Sequence, residues 1–246
     1  MSNSSGSRGF TIVELMLAMA FVSMLLLAIA TLTIHVGNLY SRGITMKDLN
    51  QSGSELITDL KRTLGAAKLS ELKTKSLDGS GGSKVICTGS YSYLINTVKS
   101  IEAAESAGSG NATSNALVYD EVIPRVGKLR DQGGVLCPTG GHGILTYNNI
   151  LSQYKDAHTG IKMTEVLGGG DRGLAPMSFE VNTSGVMNLE GDPDVSLLTV
   201  NFRIGTGRSS EIDDSTGRCK PPSDNQSGGE YCAVNDFKVI IRTGNG

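Results

Sequence analysis

The spacing of apolar residues changes twice along this chain. From Leu15 to Ile34, twenty consecutive residues include only Ser23, Thr31 and Thr33 as polar members, and after Glu14 no formal charge appears until Arg42. At ~1.5 Å rise per residue a helix of that length covers the ~30 Å hydrocarbon thickness of a bilayer, and neither Pro nor Gly interrupts it. Beyond it, Leu49, Leu56, Leu60, Leu64 and Ala67 step by seven, four, four and three, set among seven Lys/Arg and four Asp/Glu between Arg42 and Lys75. That spacing predicts an amphipathic continuation of the same helix, its Leu stripe packed on the chain's own domain. Gly37, Gly43 and Gly53 each weaken a helix by ~1 kcal/mol relative to Ala and are expected to act as flexible joints.

Lys75 to Ser83, containing Asp78-Gly79-Ser80-Gly81-Gly82, is a breaker, after which the period shortens to that of strands. Strands are expected at Lys84–Cys87, Tyr91–Ile95, Leu117–Ile123, Met177–Val181, Leu197–Ile204 and Phe237–Arg242, with a weak helical turn around Val98–Ala107. Asn182-Thr183-Ser184-Gly185 is expected to turn a hairpin from Met177–Val181 into Val186–Leu189. No internal repeat is present. The fold class is therefore α+β, a long N-terminal helix on one antiparallel sheet with long loops.

Composition sharpens this. The 246 residues leave roughly 210 after the apolar run, enough for one sizeable domain. A net charge of −2 leaves no broad basic footprint for nucleic acid. Thirty-two glycines, no Trp and 5% aromatics describe a loop-rich domain that covalent staples would help. The four cysteines, Cys87, Cys137, Cys219 and Cys232, contain no CxxC, which disfavours a zinc ribbon or thiol redox chemistry. An even number beyond the apolar run favours disulfides. Of three pairings, Cys219–Cys232 with Cys87–Cys137 is preferred, because the first closes a short Pro/Gly-rich loop, worth ~3 kcal/mol in the chain-entropy model.

Catalytic chemistry is not apparent. His35, His142 and His158 lack metal spacing, and His35 is expected at the outer edge of the membrane. Gly140-Gly141-His142-Gly143 reads as a loop, and Gly168-Gly169-Gly170 lacks the Lys-Ser/Thr of a phosphate loop. Glu190-Gly191-Asp192-Pro193-Asp194 is closely enough spaced for calcium, although a solvated turn is the preferred reading. Asn111-Ala112-Thr113, Asn182-Thr183-Ser184 and Asn225-Gln226-Ser227 are formal glycosylation sequons. No enzyme, cofactor or metal site is expected.

Glu14 is the anomaly, an acid at the head of a membrane-length helix, where insertion at the centre costs about 2.5–3.5 kcal/mol and less near the interface. A cut between Gly9 and Phe10 would free an α-amino group one helical turn away, and losing one partner of such a buried pair costs about 3–5 kcal/mol. Gly9, Phe10 and Glu14, with Thr11, Ile12, Val13 and Leu15 between and after them, resemble the class III signal of type IV pilins and of the pseudopilins of type II secretion.

That resemblance implies a prepilin peptidase that cuts after Gly9 and N-methylates Phe10, and a role for Glu14 in docking subunits. It further implies a filament with the apolar helices at its centre, and partners limited to other pilin subunits, the assembly machinery and the membrane. The Cys219–Cys232 loop resembles the disulfide-bounded C-terminal region of pilins. Unlike many type IV pilins, this chain has no Pro in its anchor, the first being Pro124. The expected parts are a leader (1–9), a filament-core helix (10–36), its amphipathic continuation (37–76) and an extracytoplasmic β domain (77–246). Size and insertions favour a minor pilin over the bulk subunit, although Glu14 is what an ordinary shaft position requires, and a type II secretion or DNA-uptake pseudopilin is the alternative within the family.

Two readings of other classes stay open. One is a secretory signal peptide, with Arg8 as its charged region, Leu15–Leu27 as its apolar core and Ala28-Ile29-Ala30 as its cleavage site. The other is an uncleaved anchor that holds an enzymatic or ligand-binding ectodomain.

Overall fold

The computed structural model describes residues 11–77, 82–107, 115–137, 143–167, 173–182, 196–206, 210, 212–213, 216–220 and 232–244. The chain is α+β and divides into two compact units, one ending at Ile44 and one beginning at Thr45. Helix α1 (Ile12–Gly65) contributes to both.

In the second unit the Leu stripe of α1 does what its spacing predicts. Leu49, Leu56, Leu60 and Leu64 are completely buried and Ala67 nearly so. Burying one such Leu contributes about 1.5–3 kcal/mol. The amphipathic helix expected through residue 76 ends at Gly65, followed by a 3-10 turn (Leu69–Glu71) and strand β1 (Lys73–Ser76). The carbonyl of Arg242 lies 3.5 Å from where a Cβ on Gly65 would stand, so the end of the helix sits beside the last strand.

The single sheet expected from the sequence is two antiparallel sheets. The first has the order β1, β2 (Lys84–Cys87), β3 (Tyr91–Ile95), β4 (Val126–Arg130), β5 (Thr164–Leu167). The second has the order β6 (Ala175–Asn182), β7 (Leu197–Gly205), β8 (Val234–Arg242). Neighbouring side chains on a strand face opposite ways, and the first sheet uses both faces. Ile86, Tyr93 and Ile95 join the α1 core, which also holds Phe179, Val200, Phe202 and Ile241 of the second sheet. Val85, Cys87, Leu94 and Leu129 build a second core with Tyr147, Leu151 and Tyr154 of α3 (Ile144–Ala157). Helix α2 (Val98–Ser106) is capped by the Thr97 side chain, which accepts from the Ser100 amide.

Leu117–Ile123 is not a strand. Tyr119 and Val122 exchange two 3.0 Å backbone hydrogen bonds across a two-residue turn, with Asp120 at φ 53° and Glu121 at φ 65°. The flanking backbone is held by side chains instead of a ladder. Asn96 donates to the carbonyls of Leu117 (2.9 Å) and Pro124 (2.8 Å) and accepts from the Leu117 amide (2.9 Å). Asn148 accepts from the Val118 amide and donates to the Ala116 carbonyl.

Gly53 is no joint. A Cβ there would stand 2.2 Å from Cζ of Phe237, so its absence lets β8 lay an aromatic ring against the helix. Gly37 and Gly43 have nothing within 4 Å of that position. The expected turn at 183–185 and strand Val186–Leu189 lie outside the described residues, as does most of the Asp78–Gly82 breaker.

Candidate functional site

The apolar half of α1 carries the features that set this chain apart. From Ile12 to Val36 every residue is exposed, so the run is not the core helix of its own unit. It is long and apolar enough to cross a membrane. Its three hydroxyls turn back onto the helix. Ser23 donates to the Met19 carbonyl (2.7 Å), Thr31 to Ala28 (2.9 Å) and Thr33 to Ile29 (2.8 Å). Bonds of this kind leave no polar side chain to be satisfied by water, which suits an apolar medium.

Gly9 and Phe10 lie outside the described residues; Glu14 occupies the first turn of α1. Its carboxylate accepts from the backbone N–H and the hydroxyl of Thr11, both at 2.9 Å, while Thr11 Oγ1 accepts from the Glu14 amide at 3.3 Å. This is the reciprocal pattern of a capping box, which the T-x-x-E spacing of Thr11 and Glu14 encodes. Glu14 therefore has a local role, satisfying orphan donors at the helix start, beside any role between chains.

A second polar constellation fastens the amphipathic half of α1 to the first sheet. Lys128, from β4, donates to both carboxylate oxygens of Asp59 (2.9 and 3.1 Å) and to Thr63 Oγ1 (2.6 Å). Tyr93 donates to Asp59 at 2.7 Å, and Arg62 adds a bond at 2.9 Å from the helix surface. Lys128 also lies 4.6 Å from the ring centre of Tyr91. Burial pushes the Asp59 carboxyl up, but the bonds from Tyr93, Lys128 and Arg62 outweigh it and hold the group below the usual aspartate value. Burial pushes the Tyr93 hydroxyl far above the ordinary tyrosine range. An uncharged phenol and an ionised carboxylate are what this geometry needs.

Cys87 is joined to Cys137 and Cys219 to Cys232, with Cα separations of 6.2 and 5.8 Å. The first pair is buried in the α3 core, tying β2 to the loop after β4. In that loop Asp131, completely buried, accepts from Ser92 Oγ (2.6 Å) and from the amides of Val135 and Leu136. His35 is exposed on α1, and His158 stacks on Tyr154. His142, the glycines 168–170, the acidic stretch 190–194 and the sequons at 111 and 225 lie outside the described residues. Among the described residues no group of three His, Cys, Asp or Glu is placed to hold a metal ion.

Sequence reasoning missed the Asp59, Lys128 and Tyr93 set, whose members are 34 and 69 positions apart and carry no local signal. The capping partnership of Thr11 was legible and was overlooked. Comparison with family models, curated proteins and solved structures returns no match.

Proposed function

We propose that this chain is a structural subunit of a type IV pilus-like filament, processed between Gly9 and Phe10 and assembled through the apolar half of α1. The observation that carries this is the exposed apolar run from Leu15 to Ile34, headed by Glu14 and continuous in one helix with a half whose Leu stripe is spent on the chain's own domain. A segment so constructed has its inner half satisfied and its outer half unsatisfied in water. A membrane before assembly, and neighbouring copies of the same helix afterwards, would both cover it. In this proposal the role is non-enzymatic and the partners are other subunits, prepilin peptidase and the assembly machinery. A type II secretion or DNA-uptake pseudopilin uses the same parts.

One observation favours a different class. The bonds from Thr11 give Glu14 a purpose that needs no second chain, as expected of a membrane anchor for an independent ectodomain. Glu14→Gln separates the two, because glutamine at the third helical position preserves the capping box while removing the charge. A filament subunit with this change is still cleaved, yet its incorporation into fibres falls sharply. A simple anchor is unaffected, so unchanged fibre content or unchanged ectodomain activity with no fibres at all refutes the filament. N-terminal sequencing with mass analysis completes the test: methylated phenylalanine at the start supports processing, Thr31 supports a secretory signal, and retention of residues 1–9 refutes maturation.

A further inference from the structure

The Asp59 cluster borders a groove on the α1 side of the first sheet. Arg62, Thr63, Thr88, Ser90, Tyr91 and Lys128 stand in its walls, around a volume of about 400 Å³. Among the described residues no acid lines it, and the adjoining Asp59 is committed to Tyr93, Lys128 and Arg62. Two cations thus face one carboxylate. Lys128 is deep, with its side chain 11% exposed, whereas that of Arg62 is 79% exposed and engages Asp59 through Nη2 alone among the described residues. A groove of this kind, with an outer guanidinium, hydroxyls and a half-exposed aromatic ring, suits carboxylates carried on a small protruding element.

The chain itself carries such an element. Asp120 and Glu121 form the tip of the turn between Tyr119 and Val122, both exposed. Asp156 of α3 lies beside them, and Lys155, which bonds Asp120, offsets part of their charge. The turn packs on the α3 side of the first sheet, through Tyr119 in the α3 core, while the groove lies on the α1 side of the same sheet. The two cannot meet within one molecule.

We propose that the groove beside Lys128 receives the Asp120–Glu121 turn of a second copy of this chain. The contact uses a different patch on each partner, so the end copies of an open chain keep one empty groove and one unused turn, and association propagates as a filament wherever the rotation between copies does not close a ring. It rests on the filament proposal above and gives that filament a second, solvent-side contact.

The test uses the full chain in its native membrane, with Tyr91→p-benzoylphenylalanine as a photoreactive probe in the groove. Illumination is expected to yield a ladder of cross-linked copies whose adduct maps to residues 119–122. Glu121→Lys lowers the adduct about tenfold, since like charges set together at an interface are strongly unfavourable, and adding Arg62→Glu restores it. Adducts mapping elsewhere, or an undiminished yield with Glu121→Lys, overturn the proposal. Fibres forming normally in that variant remove this contact and leave the filament standing. A parent chain that keeps residues 1–9 and gives neither fibres nor ladder fails at the earlier step.

Discussion

Removing the Asp59 carboxylate tests how the amphipathic half of α1 is held. In Asp59→Ala, Lys128 loses two of its three oxygen partners and Tyr93 loses its acceptor, at side chains only 11% and 15% exposed for the lysine and the aspartate. Breaking a fully buried pair costs about 3–5 kcal/mol, and the residual exposure together with the surviving Thr63 bond reduces this to about 2–4 kcal/mol. For a unit of this size the midpoint of thermal unfolding falls by roughly 5–15 °C. Lys128→Met removes the other charge, and the double variant is expected to be less destabilised than the two single changes added together, with a coupling of about 1.5–3 kcal/mol. The pH dependence has a definite sign. Because the folded carboxyl titrates below its usual value, its stabilisation is complete above the unfolded pKa of about 4 and is lost as pH falls through the lower folded value. Urea unfolding of the full chain in detergent between pH 3 and 7 should show an acid loss that is smaller in Asp59→Ala, the remainder coming from other carboxyls such as Asp236, held low by Arg203. A loss under ~1 kcal/mol at pH 7, or additivity with Lys128→Met, refutes this account.

Gly53→Ala is expected to destabilise by about 1–2 kcal/mol, its methyl meeting a Phe237 ring already stacked 5.1 Å from Phe202, despite the helix-propensity gain. Gly43→Ala, in open space, should be neutral or stabilising by up to ~1 kcal/mol, so equal effects in denaturant titrations would rule out the packing role. Asn96→Ala strands the carbonyls of Leu117 and Pro124 in a fully buried place and should cost about 2–4 kcal/mol, with faster amide exchange across 115–124 as its local signature. The Cys87–Cys137 link spans 50 residues and Cys219–Cys232 spans 13, for entropic contributions of about 4 and 3 kcal/mol; paired Cys→Ala variants should rank in that order by midpoint of unfolding.

Much of the fold was legible wherever periodicity met burial. Alternation in Leu197–Ile204 places Leu198, Val200, Phe202 and Ile204 inward, and the stripe from Leu49 to Leu64 marks one helical face. Helix α3 was equally readable, since Ile144, Tyr147, Leu151 and Tyr154 repeat at three and four, yet no element was assigned to that stretch from the sequence. β1 has only Lys, Thr and Ser to offer, and β4 has a glycine at its second position that leaves room for Met163 and Pro124. Neither carries a strand signal of its own. Leu117–Ile123 had strand composition, yet Asn96 and Asn148 satisfy its backbone from a distance, a tertiary effect that no local window contains. At the candidate site, the apolar run and Glu14 were plain from order alone, whereas the Asp59 cluster required the folded chain.

Strand β8 is the last described element, yet Val239 and Ile241 share a core with Leu49, Leu56 and Leu60 near the start of the second unit. Asn235 reaches back to Asn50, and the Gly244 amide bonds the Ala67 carbonyl. The beginning of this unit thus has no finished place to rest until its end has been synthesised. Ile86, Tyr93 and Ile95 can cover part of the leucine ridge earlier, but the part that packs on Val200, Phe202, Val239 and Ile241 stays uncovered until the second sheet is made, and long sequence separation makes that closing step slow. A truncation that omits the final strand should therefore leave a sticky, chaperone-dependent polypeptide instead of a slightly smaller domain.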